Sequence, residues 1–447
     1  MIAKTFKGGA HPPERKERTS ELPIERVSPV KQVVIPINQH FGAPIQSLVK
    51  VGEQVRRGQK IADAEGRMTV PLHASVSGTV AKIESRPLAN NLEGPCIVIE
   101  AGEVPGGDAF LPPLDPFACS KEEALARVRE AGIVGMGGAG FPTHVKLAPT
   151  KPIAVVIANA AECEPFLTVD ERTMIERPGD FVEGLAITMR IVGAPAGLIG
   201  LEENKASVIP GLEKAIAERG RGMDIQVKLL KTKYPQGGEK MLIVALTGKE
   251  VPSGGLPMDV GCVVQNVGTL VAMTEAFREG KPLVERALTI TGGACSQPKN
   301  LLAPIGTLVS DIVASGAVRI AEEELGRVVF GGPMMGVAVP GYAIPLQKNS
   351  SGVLFMSRKE AAYFAEGPCI RCGRCMRACS CKLSPALLNG ALKSGNLDEA
   401  EAIGVLDCVE CGTCSFVCPA HIQLVQRFRV GKQLVRAKKQ KEAKNAR

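Results

Sequence analysis

The spacing of hydrophobic and polar positions divides the chain into regions of different type. Between residues 33 and 100, short apolar runs are broken by Gly and Pro, which is typical of short strands. Between residues 153 and 246, apolar strands alternate with longer amphipathic stretches, which predicts a layered α/β domain with a largely parallel sheet. The predicted strands are 153–158, 198–201 and 225–231, and the predicted helices are 181–192, 205–218 and 239–246.

Two further patterns flank this α/β region. Ser120 followed by Glu123 is a capping-box pattern, which predicts the start of a helix after the Pro/Gly-rich stretch 102–116. After residue 284, a strand at 288–291, a helix at 308–314 and a strand at 328–330 fit a small module of β-grasp type.

The first region resembles a known carrier fold. Residues 51–62 and 71–80 are similar to the two halves of a biotinyl/lipoyl-type barrel-sandwich hybrid. In such carriers a modified lysine lies at the hairpin tip between the halves, but residues 65–70 contain no lysine. We therefore expect the fold without its prosthetic group.

We thus predict an α/β multidomain protein of six segments. They are an N-terminal leader (1–30), an unmodified barrel-sandwich hybrid (31–101), an FMN/NADH-binding α/β domain (116–283), a β-grasp (SLBB) domain (284–347), an α-helical ferredoxin-type domain for two 4Fe–4S clusters (360–427) and a basic tail (428–447).

Composition and charge limit the cellular compartment and the binding partners expected of the protein. The chain has 447 residues, 45% of them hydrophobic, which is enough for several packed cores. No export signal and no uninterrupted apolar window long enough to span a bilayer is found, which predicts a soluble protein in a reducing, cytoplasmic compartment.

The formal charge is +8, much of it after residue 427. This tail fits a nucleic-acid arm, a contact for lipid or a subunit, or a solvated helix end, but 4% aromatic residues and no Trp disfavour nucleic acid.

Eight of the 14 cysteines form two runs with the spacing of a bacterial two-cluster ferredoxin. The runs are Cys369, Cys372, Cys375 and Cys379, then Cys408, Cys411, Cys414 and Cys418, the last followed by Pro419. The fourth cysteine of each run is expected to cross to the other cluster. Structural zinc and disulfides are disfavoured by the complete four-cysteine runs and by the compartment. Cys381 is either a bystander or a competitor of Cys379 for the crossing position.

A second group of residues has the chemistry of a phosphate site. Gly135, Gly137, Gly138 and Gly140 lie shortly before Lys146. Glycines allow backbone N–H groups to approach a phosphate, and the lysine adds a positive charge. The spacing matches neither the P-loop nor the dinucleotide fingerprint, so this cluster alone does not identify a site.

Four more stretches extend this pattern. They are residues 159–165 (NAAECEP), 234–239 (YPQGGE), 265–270 (QNVGTL) and 331–336 (GGPMMG). The glycine cluster and the first three of these, in this order, resemble the FMN- and NADH-binding subunit of respiratory complex I. With the barrel-sandwich start, the ferredoxin-type end and the opening Gly8-Gly-Ala-His-Pro12, essentially the whole chain resembles the C subunits of the Rnf ion-translocating oxidoreductase complexes.

The resemblance implies a set of site residues. It implies that FMN is held by Gly135, Gly137, Gly138, Gly140, Lys146, Asn159, Tyr234, Gly237, Gly238, Glu239, Asn266 and Thr269. It places Glu164 beside the nicotinamide of NAD(H). The chain departs from complex I at Ala161, where complex I has an acidic residue, and at Gln265, where it has an asparagine. Capping and turn chemistry at a strand end is the alternative interpretation of Asn159 and Glu164.

The expected activity follows from the cofactors. NADH gives up two electrons as hydride, an iron–sulfur cluster takes one, and a flavin handles either number. The resemblance therefore implies an oxidoreductase subunit that exchanges electrons between NAD(H) and ferredoxin through FMN and two 4Fe–4S clusters. It would lie on the cytoplasmic side of the membrane, held by partner subunits of the complex. The alternatives are a flavin- and cluster-containing cobalamin reductase of bacterial microcompartments and a non-catalytic electron-transfer scaffold.

Overall fold

The structure is a computed structural model that describes residues 3–66 and 68–445. Residues 1–2 of the expected leader, Arg67 of the lysine-free tip and residues 446–447 of the basic tail lie outside the described residues.

The strands are numbered in chain order. They are β1 (Ile24–Arg26), β2 (Gln32–Pro36), β3 (Gln46–Ser47), β4 (Gln54–Val55), β5 (Lys60–Asp63), β6 (Leu72–His73), β7 (Gly78–Pro87), β8 (Glu93–Ala101), β9 (Val155–Ala160), β10 (Ala196–Glu202), β11 (Asp224–Leu230), β12 (Cys262–Asn266), β13 (Glu285–Thr291), β14 (Lys299–Pro304), β15 (Leu325–Phe330), β16 (Val337–Val339) and β17 (Gly352–Ser357).

The helices follow the same convention. They are α1 (Lys121–Glu130), α2 (Thr143–Lys146), α3 (Val169–Glu176), α4 (Pro178–Val192), α5 (Ile209–Arg219), α6 (Glu239–Thr247), α7 (Val267–Arg278), α8 (Val309–Ala314), α9 (Arg374–Ala378), α10 (Pro385–Lys393), α11 (Leu397–Ala402), α12 (Thr413–Phe416) and α13 (Leu424–Asn445). Short 3-10 turns lie at Glu203–Val208, Pro257–Val260, Glu322–Glu324 and Val405–Asp407.

The N-terminal strands form a barrel sandwich of two antiparallel sheets. One sheet has the order β2-β8-β7-β4 and the other the order β3-β5-β6. Inward-facing side chains such as Val33, Ile61 and Ile99 are fully buried and belong to the same hydrophobic core as helix α4 of the next domain. The barrel sandwich is therefore packed onto the α/β domain through a continuous core.

The α/β domain contains the predicted parallel sheet, with the strand order β11-β10-β9-β12. Each strand and helix predicted between residues 153 and 246 is present to within a few residues, except that the helix predicted from residue 205 begins as a 3-10 turn. The capping box is confirmed, because Ser120 and Glu123 each accept a hydrogen bond from the other's backbone N–H at the start of α1. After β9 the chain adds β10 and β11 on one side of β9, and it then returns to add β12 on the opposite side of β9. This reversal is the position at which open α/β sheets bind ligands.

The next unit is a mixed sheet in the order β1-β14-β13-β17-β15-β16. The β14-β13-β17-β15 part, with the parallel pair β13 and β17 at its centre and α8 between the hairpins, has the β-grasp arrangement. Two features differ from the expected boundaries. The sheet continues past residue 347 through β17, of which residues 352–355 are buried, and β1, from the expected leader, pairs in parallel with β14.

The cysteine-rich unit is a small helical domain. Helices α10, α11 and α13 pack around a core that includes Leu388, Val405 and Phe428. Each cysteine run leads into a short helix, α9 or α12, whose preceding glycine, Gly373 or Gly412, has a positive φ of 69° or 79°. These positive φ values give each run a tight backbone turn directly after its second cysteine.

Most of the basic tail belongs to this domain. Phe428 and Val435 of α13 are buried, and Lys432 binds both Glu410 and the carbonyl oxygen of Cys408. Further along, Lys439 pairs with Glu401. The described part of the tail is therefore a helix that packs on the cysteine-rich domain and is held there by ion pairs of its basic residues. In the described residues, no helix combines the length and the apolar character needed to cross a membrane.

Candidate functional site

The site forms where β9 and β12 end side by side. Asn159 and Asn266 are direct neighbours in the parallel pair. The amide of Asn159 donates a hydrogen bond to the carbonyl oxygen of Gly237 at 2.8 Å, which joins the strand end to the Tyr234–Glu239 stretch. The side chain of Asn266 accepts from the N–H of Gly268 at 2.9 Å as the N-cap of α7, and its amide donates to Asp170 at 2.7 Å. Asn266 thus caps α7 and binds Asp170, whereas Asn159 joins two of the predicted stretches.

The glycine loop lies against the same strand end. The N–H of Met136 donates to the buried hydroxyl of Thr269 at 3.0 Å, so the loop is tied to the first turn of α7. A side chain on Gly137 would approach Asn266 to 3.2 Å, whereas one on Gly138 would meet nothing within 4 Å. The loop therefore packs closely on one side and leaves open space at Gly138.

Lys146 ends the short helix α2 that follows this loop. Its ammonium group binds the carboxylate of Glu239 at 2.8 Å and the carbonyl oxygen of Val264 at 2.7 Å. These contacts hold the lysine between the glycine loop, the start of α6 and strand β12. The positive charge of Lys146 is thereby fixed at the edge of the sheet.

Two glutamates of the loop after β9 have different partners. Glu162 accepts hydrogen bonds from the N–H groups of Asp170 and Glu171 at 2.7 and 3.2 Å, so it caps helix α3. Glu164 points the other way, where its two oxygens accept from the N–H groups of Met334 and Met335 at 3.1 and 2.9 Å. Glu164 therefore does not cap a helix but joins the 331–336 stretch to the site, whereas Asn159 also makes a turn contact by accepting from the N–H of Ala161 at 3.4 Å.

The carboxyl group of Glu164 has an unusual titration. Burial raises the pKa of Glu164 to about 7, although the N–H groups of Met334 and Met335 and the charge of Lys16 oppose the shift. The Tyr234 hydroxyl lies 3.5 Å from the same carboxyl group. A buried carboxyl group that changes charge near neutral pH is a functional-site candidate.

The loop is supported by a lysine that the sequence did not indicate. Lys16 is buried, and its ammonium group donates to the carbonyl oxygens of Glu162 at 2.9 Å, Glu164 at 3.1 Å and Leu167. Burial lowers the pKa of Lys16. In the sequence this lysine lies in the run Glu14-Arg-Lys-Glu-Arg18, which has the pattern of a solvated segment, so no local signal could have identified it.

The second cysteine run lines a small apolar cavity. Five thiols line it, those of Cys379, Cys381, Cys408, Cys411 and Cys414. Burial raises the pKa of Cys414 to about 12, and the nearby thiols of Cys411, Cys408 and Cys379 add to the shift. The fourth cysteine of the first run thus lies with the first three of the second.

The first run shows the reciprocal arrangement at the surface. Burial raises the pKa of Cys375, and the thiols of Cys418 and Cys369 contribute in the same direction. Cys369 and Cys372 are exposed. The fourth cysteine of the second run is therefore near the first, which is the crossing arrangement of a two-cluster ferredoxin.

Among residues 3–66 and 68–445, no group of three or more His, Cys, Asp or Glu side chains is arranged to hold a metal ion. A 4Fe–4S cluster takes its four thiolates at the corners of a cubane, which is a wider arrangement than the ligand sphere of zinc. Cys381 lines the same cavity as Cys379, so the structure leaves both roles of Cys381 open.

Comparisons with known proteins cover the whole chain. Residues 4–103 match the RnfC barrel sandwich hybrid domain, and residues 128–275 match the Nuo51 FMN-binding domain. The chain is 44% identical to the C subunit of the proton-translocating ferredoxin:NAD(+) oxidoreductase complex of Clostridium ljungdahlii, over 99% of this chain and 96% of the relative. It is 42% identical to the Na(+)-translocating counterpart of Acetobacterium woodii, over 98% of both chains.

Other relatives are longer or more distant. The chain is 40% identical to the C subunit of the ion-translocating oxidoreductase complex of Pseudomonas aeruginosa, over 98% of this chain but 56% of the relative. A solved NAD+-reducing [NiFe]-hydrogenase in the air-oxidised state superposes with a TM-score of 0.51 at 22% identity, covering 72% of this chain and 67% of that one. This likeness shows a shared fold.

Proposed function

The chain belongs to the family of C subunits of Rnf-type ion-translocating oxidoreductase complexes, and from this premise we propose that it exchanges electrons between NAD(H) and ferredoxin within such a complex. The names of two relatives, a proton-translocating and a Na(+)-translocating ferredoxin:NAD(+) oxidoreductase, support the proposed redox partners. The two names differ in the translocated ion, so the proposal does not specify which ion is translocated.

The residues at the ends of β9 and β12 fit an FMN. The glycine loop leaves space at Gly138, and Lys146 supplies a fixed positive charge. Gln265, at the place of a complex I asparagine, has a buried Nε2 with no hydrogen-bond partner among the described residues. A buried donor without a partner costs free energy, so the binding of a flavin that accepts a hydrogen bond from it would be favoured. In the proposal, Lys146, Asn159, Tyr234, Glu239 and Thr269 bind or shape the flavin site.

The cysteines fit two 4Fe–4S clusters. We assign Cys369, Cys372, Cys375 and Cys418 to one cluster, and Cys408, Cys411, Cys414 and Cys379 to the other. A flavin bound at these residues would supply the link between two-electron hydride chemistry with NAD(H) and the one-electron chemistry that the clusters would supply. The protein binds these groups, orients them and excludes water between them.

The observation that carries the proposal is the contact between the two sites. Tyr234 donates a hydrogen bond to the carbonyl oxygen of Cys411 at 2.8 Å and also lies beside Glu164. A side chain on Gly412 would meet the backbone of Met334, the residue whose N–H holds Glu164. The candidate nicotinamide side and one cluster loop are therefore in direct contact, which keeps the distance for electron exchange between them short.

The proposal includes the place of the chain in the cell. We propose a peripheral subunit on the cytoplasmic side of the membrane, bound there by partner subunits. The relatives are named as subunits of ion-translocating complexes, which supports partners that span the membrane.

The test uses anaerobically purified protein with intact clusters. We expect the protein to take up FMN and to reduce ferricyanide with NADH in the absence of its partners. Flavin is measured by fluorescence after release, and iron by chemical analysis. If the protein with intact clusters takes up no flavin and shows no NADH-dependent reduction, the electron-transfer scaffold replaces the enzyme as the function.

A further inference from the structure

The N-terminal segment lies between the two parts of the proposed electron path. We call residues 4–19 the strap. Its residue Gly9 donates from its N–H to the carbonyl oxygen of Ala378 at 2.9 Å, and the next residue, Ala10, exchanges two backbone hydrogen bonds with Tyr234, at 2.8 and 2.9 Å. Two consecutive strap residues thus contact the first cysteine run on one side and the candidate flavin site on the other.

The glycine pair makes this contact close. A Cβ on Gly8 would lie 2.8 Å from the carbonyl oxygen of Cys379, and one on Gly9 would lie 2.7 Å from the carbonyl oxygen of Tyr234. Both neighbours are backbone atoms, which cannot rotate away as a flexible side chain can. The strap therefore passes between the backbones of Cys379 and Tyr234 at a closeness that only residues without side chains allow.

The rest of the strap is anchored to the nucleotide side. Lys16 binds the carbonyl oxygens of Glu162, Glu164 and Leu167. The N–H of Phe166 donates to the carbonyl oxygen of Glu14 at 2.8 Å. At the other end, Lys233 donates to the carbonyl oxygen of Phe6 at 2.6 Å and lies over the Phe6 ring at 4.1 Å. Because both ends are fixed, the glycine pair cannot shift without moving one of the two sites.

We propose that the strap is a spacer, in which Gly8 and Gly9 are positioning residues that hold the cluster cavity of Cys379 at its distance from Tyr234 and Glu164. This inference rests on the proposed function, because it assigns the flavin and cluster sites to the two sides of the strap. The strap forms no bond to either group and carries no electron. It acts on the rate of electron transfer, which falls steeply with the distance between donor and acceptor.

The chain provides a matched control for the test. Gly8, Gly9 and Gly52 have φ values of +87°, +86° and +88°, but a Cβ on Gly52 would meet nothing within 4 Å. Alanine at any of the three is strained by the positive φ, at a cost of about 1 kcal/mol. Only at Gly8 and Gly9 does it also meet backbone atoms. Comparing Gly9→Ala with Gly52→Ala therefore isolates the close contact.

The experiment follows electrons in the holoprotein after mixing with NADH. Flavin bleaching is measured by absorbance, and cluster reduction by freeze-quench EPR. For Gly9→Ala we expect unchanged FMN and iron content, unchanged flavin bleaching, and cluster reduction slower by roughly three- to ten-fold. This is less than the roughly hundred-fold that a 1 Å misplacement of reacting atoms can cost, because electron transfer needs no contact between the groups. Gly52→Ala should equal the wild type.

Two further measurements test the spacer role without relying on the rate of cluster reduction or on the Gly9→Ala variant alone. Hydrogen exchange of the backbone amides at residues 234–239 and 374–379 should be faster in Gly9→Ala than in Gly52→Ala. Lys233→Met, which frees the end of the strap without adding bulk near the glycines, should also speed exchange there and slow cluster reduction.

The outcomes separate the two proposals. If Gly9→Ala and Lys233→Met reduce their clusters as fast as the wild type, the spacer role is overturned. It is also overturned if Gly9→Ala loses FMN or iron while Gly52→Ala keeps them, because the strap is then only a support for cofactor binding. Failure of the wild type to bind FMN or to be reduced by NADH overturns the proposed function instead.

Discussion

The hydroxyl group of Tyr234 donates a 2.8 Å hydrogen bond to the carbonyl oxygen of Cys411, a cysteine 177 residues away in the chain. Tyr234 is almost completely buried, and burial together with Glu164 raises the pKa of its hydroxyl, so the group stays a neutral donor. One side chain thus joins the loop that resembles a flavin site to the loop of a proposed cluster.

Removing this hydroxyl should alter one cluster selectively. In Tyr234→Phe, the backbone of Cys411 loses a donor that favours the more negative, reduced cluster, so the potential of the Cys408–Cys414 cluster should fall. A neutral hydrogen bond is worth about 1 kcal/mol, which sets an upper limit of roughly 40 mV for one electron. EPR-monitored redox titration of the anaerobic protein measures the change.

The other cluster is the internal control for this titration. Its proposed ligands Cys369 and Cys372 are exposed and have no described hydrogen bond with Tyr234. Equal shifts of both clusters, or a shift confined to the Cys369 cluster, would contradict the assigned role of Tyr234.

The crossing of ligands is tested by replacing the fourth cysteine of each run. The protein should contain about eight irons from two 4Fe–4S clusters. Cys418→Ala should damage the cluster of Cys369, Cys372 and Cys375, because Cys418 lies beside Cys375. Cys379→Ala should instead damage the cluster of the second run. Iron analysis should fall toward about four in each variant, and EPR identifies which signal is lost.

Cys381 provides the comparison for Cys379. Both thiols line the same cavity, and Cys379 Sγ already accepts a hydrogen bond from the N–H of Leu383 at 3.3 Å. Cys381→Ala should retain both clusters. If Cys381→Ala loses the second cluster and Cys379→Ala does not, Cys381 is the crossing ligand.

The features predictable from the sequence are those with local signals. The spacing of the cysteines, the Ser120–Glu123 capping box and the alternation of strands and helices each depend on residues close together in the chain. The resemblance then brought together stretches that the structure connects by hydrogen bonds, such as Asn159 to Gly237 and Lys146 to Glu239. Local pattern and motif order were sufficient for these features.

The remaining features depend on contacts over long distances in the chain. The expected leader is built into the protein, with Lys16 under the Glu164 loop and β1 at the edge of the β-grasp sheet. Strand β1 has only three residues, and Lys16 lies among charged neighbours, so neither has a periodic pattern of its own. The tertiary partners, which lie more than 140 residues away, determine both positions.

Lys146 should control the affinity for FMN. A charge-assisted hydrogen bond contributes about 1.5–3 kcal/mol, so Lys146→Ala should weaken FMN binding by roughly ten- to a hundred-fold. Its salt bridge to Glu239 is lost as well. Lys151→Ala, which removes an exposed salt bridge to Asp259, is the control and should leave FMN affinity unchanged. Fluorescence titration of flavin-depleted protein gives both affinities, and equal values for the two variants would remove Lys146 from the site.

Glu164 should make NADH-driven flavin reduction depend on pH near neutrality. Burial raises the pKa of its carboxyl group to about 7, so the carboxylate forms as the pH rises through 7. A carboxylate beside the nicotinamide stabilises the positive ring left when hydride departs, and the rate of flavin bleaching should therefore rise between pH 6 and 8. Glu164→Gln should bind FMN normally, and its rate of flavin bleaching should not depend on pH. At pH 8 this rate should be about ten-fold lower than in the wild type, which corresponds to about 1.4 kcal/mol and is reasonable for one pair of charges.

Glu202→Gln is the matched control, because burial also raises the pKa of Glu202 to about 7 but its carboxylate pairs with Lys205 instead. The rise with pH should persist in Glu202→Gln, and its persistence in Glu164→Gln would assign the titration to another group.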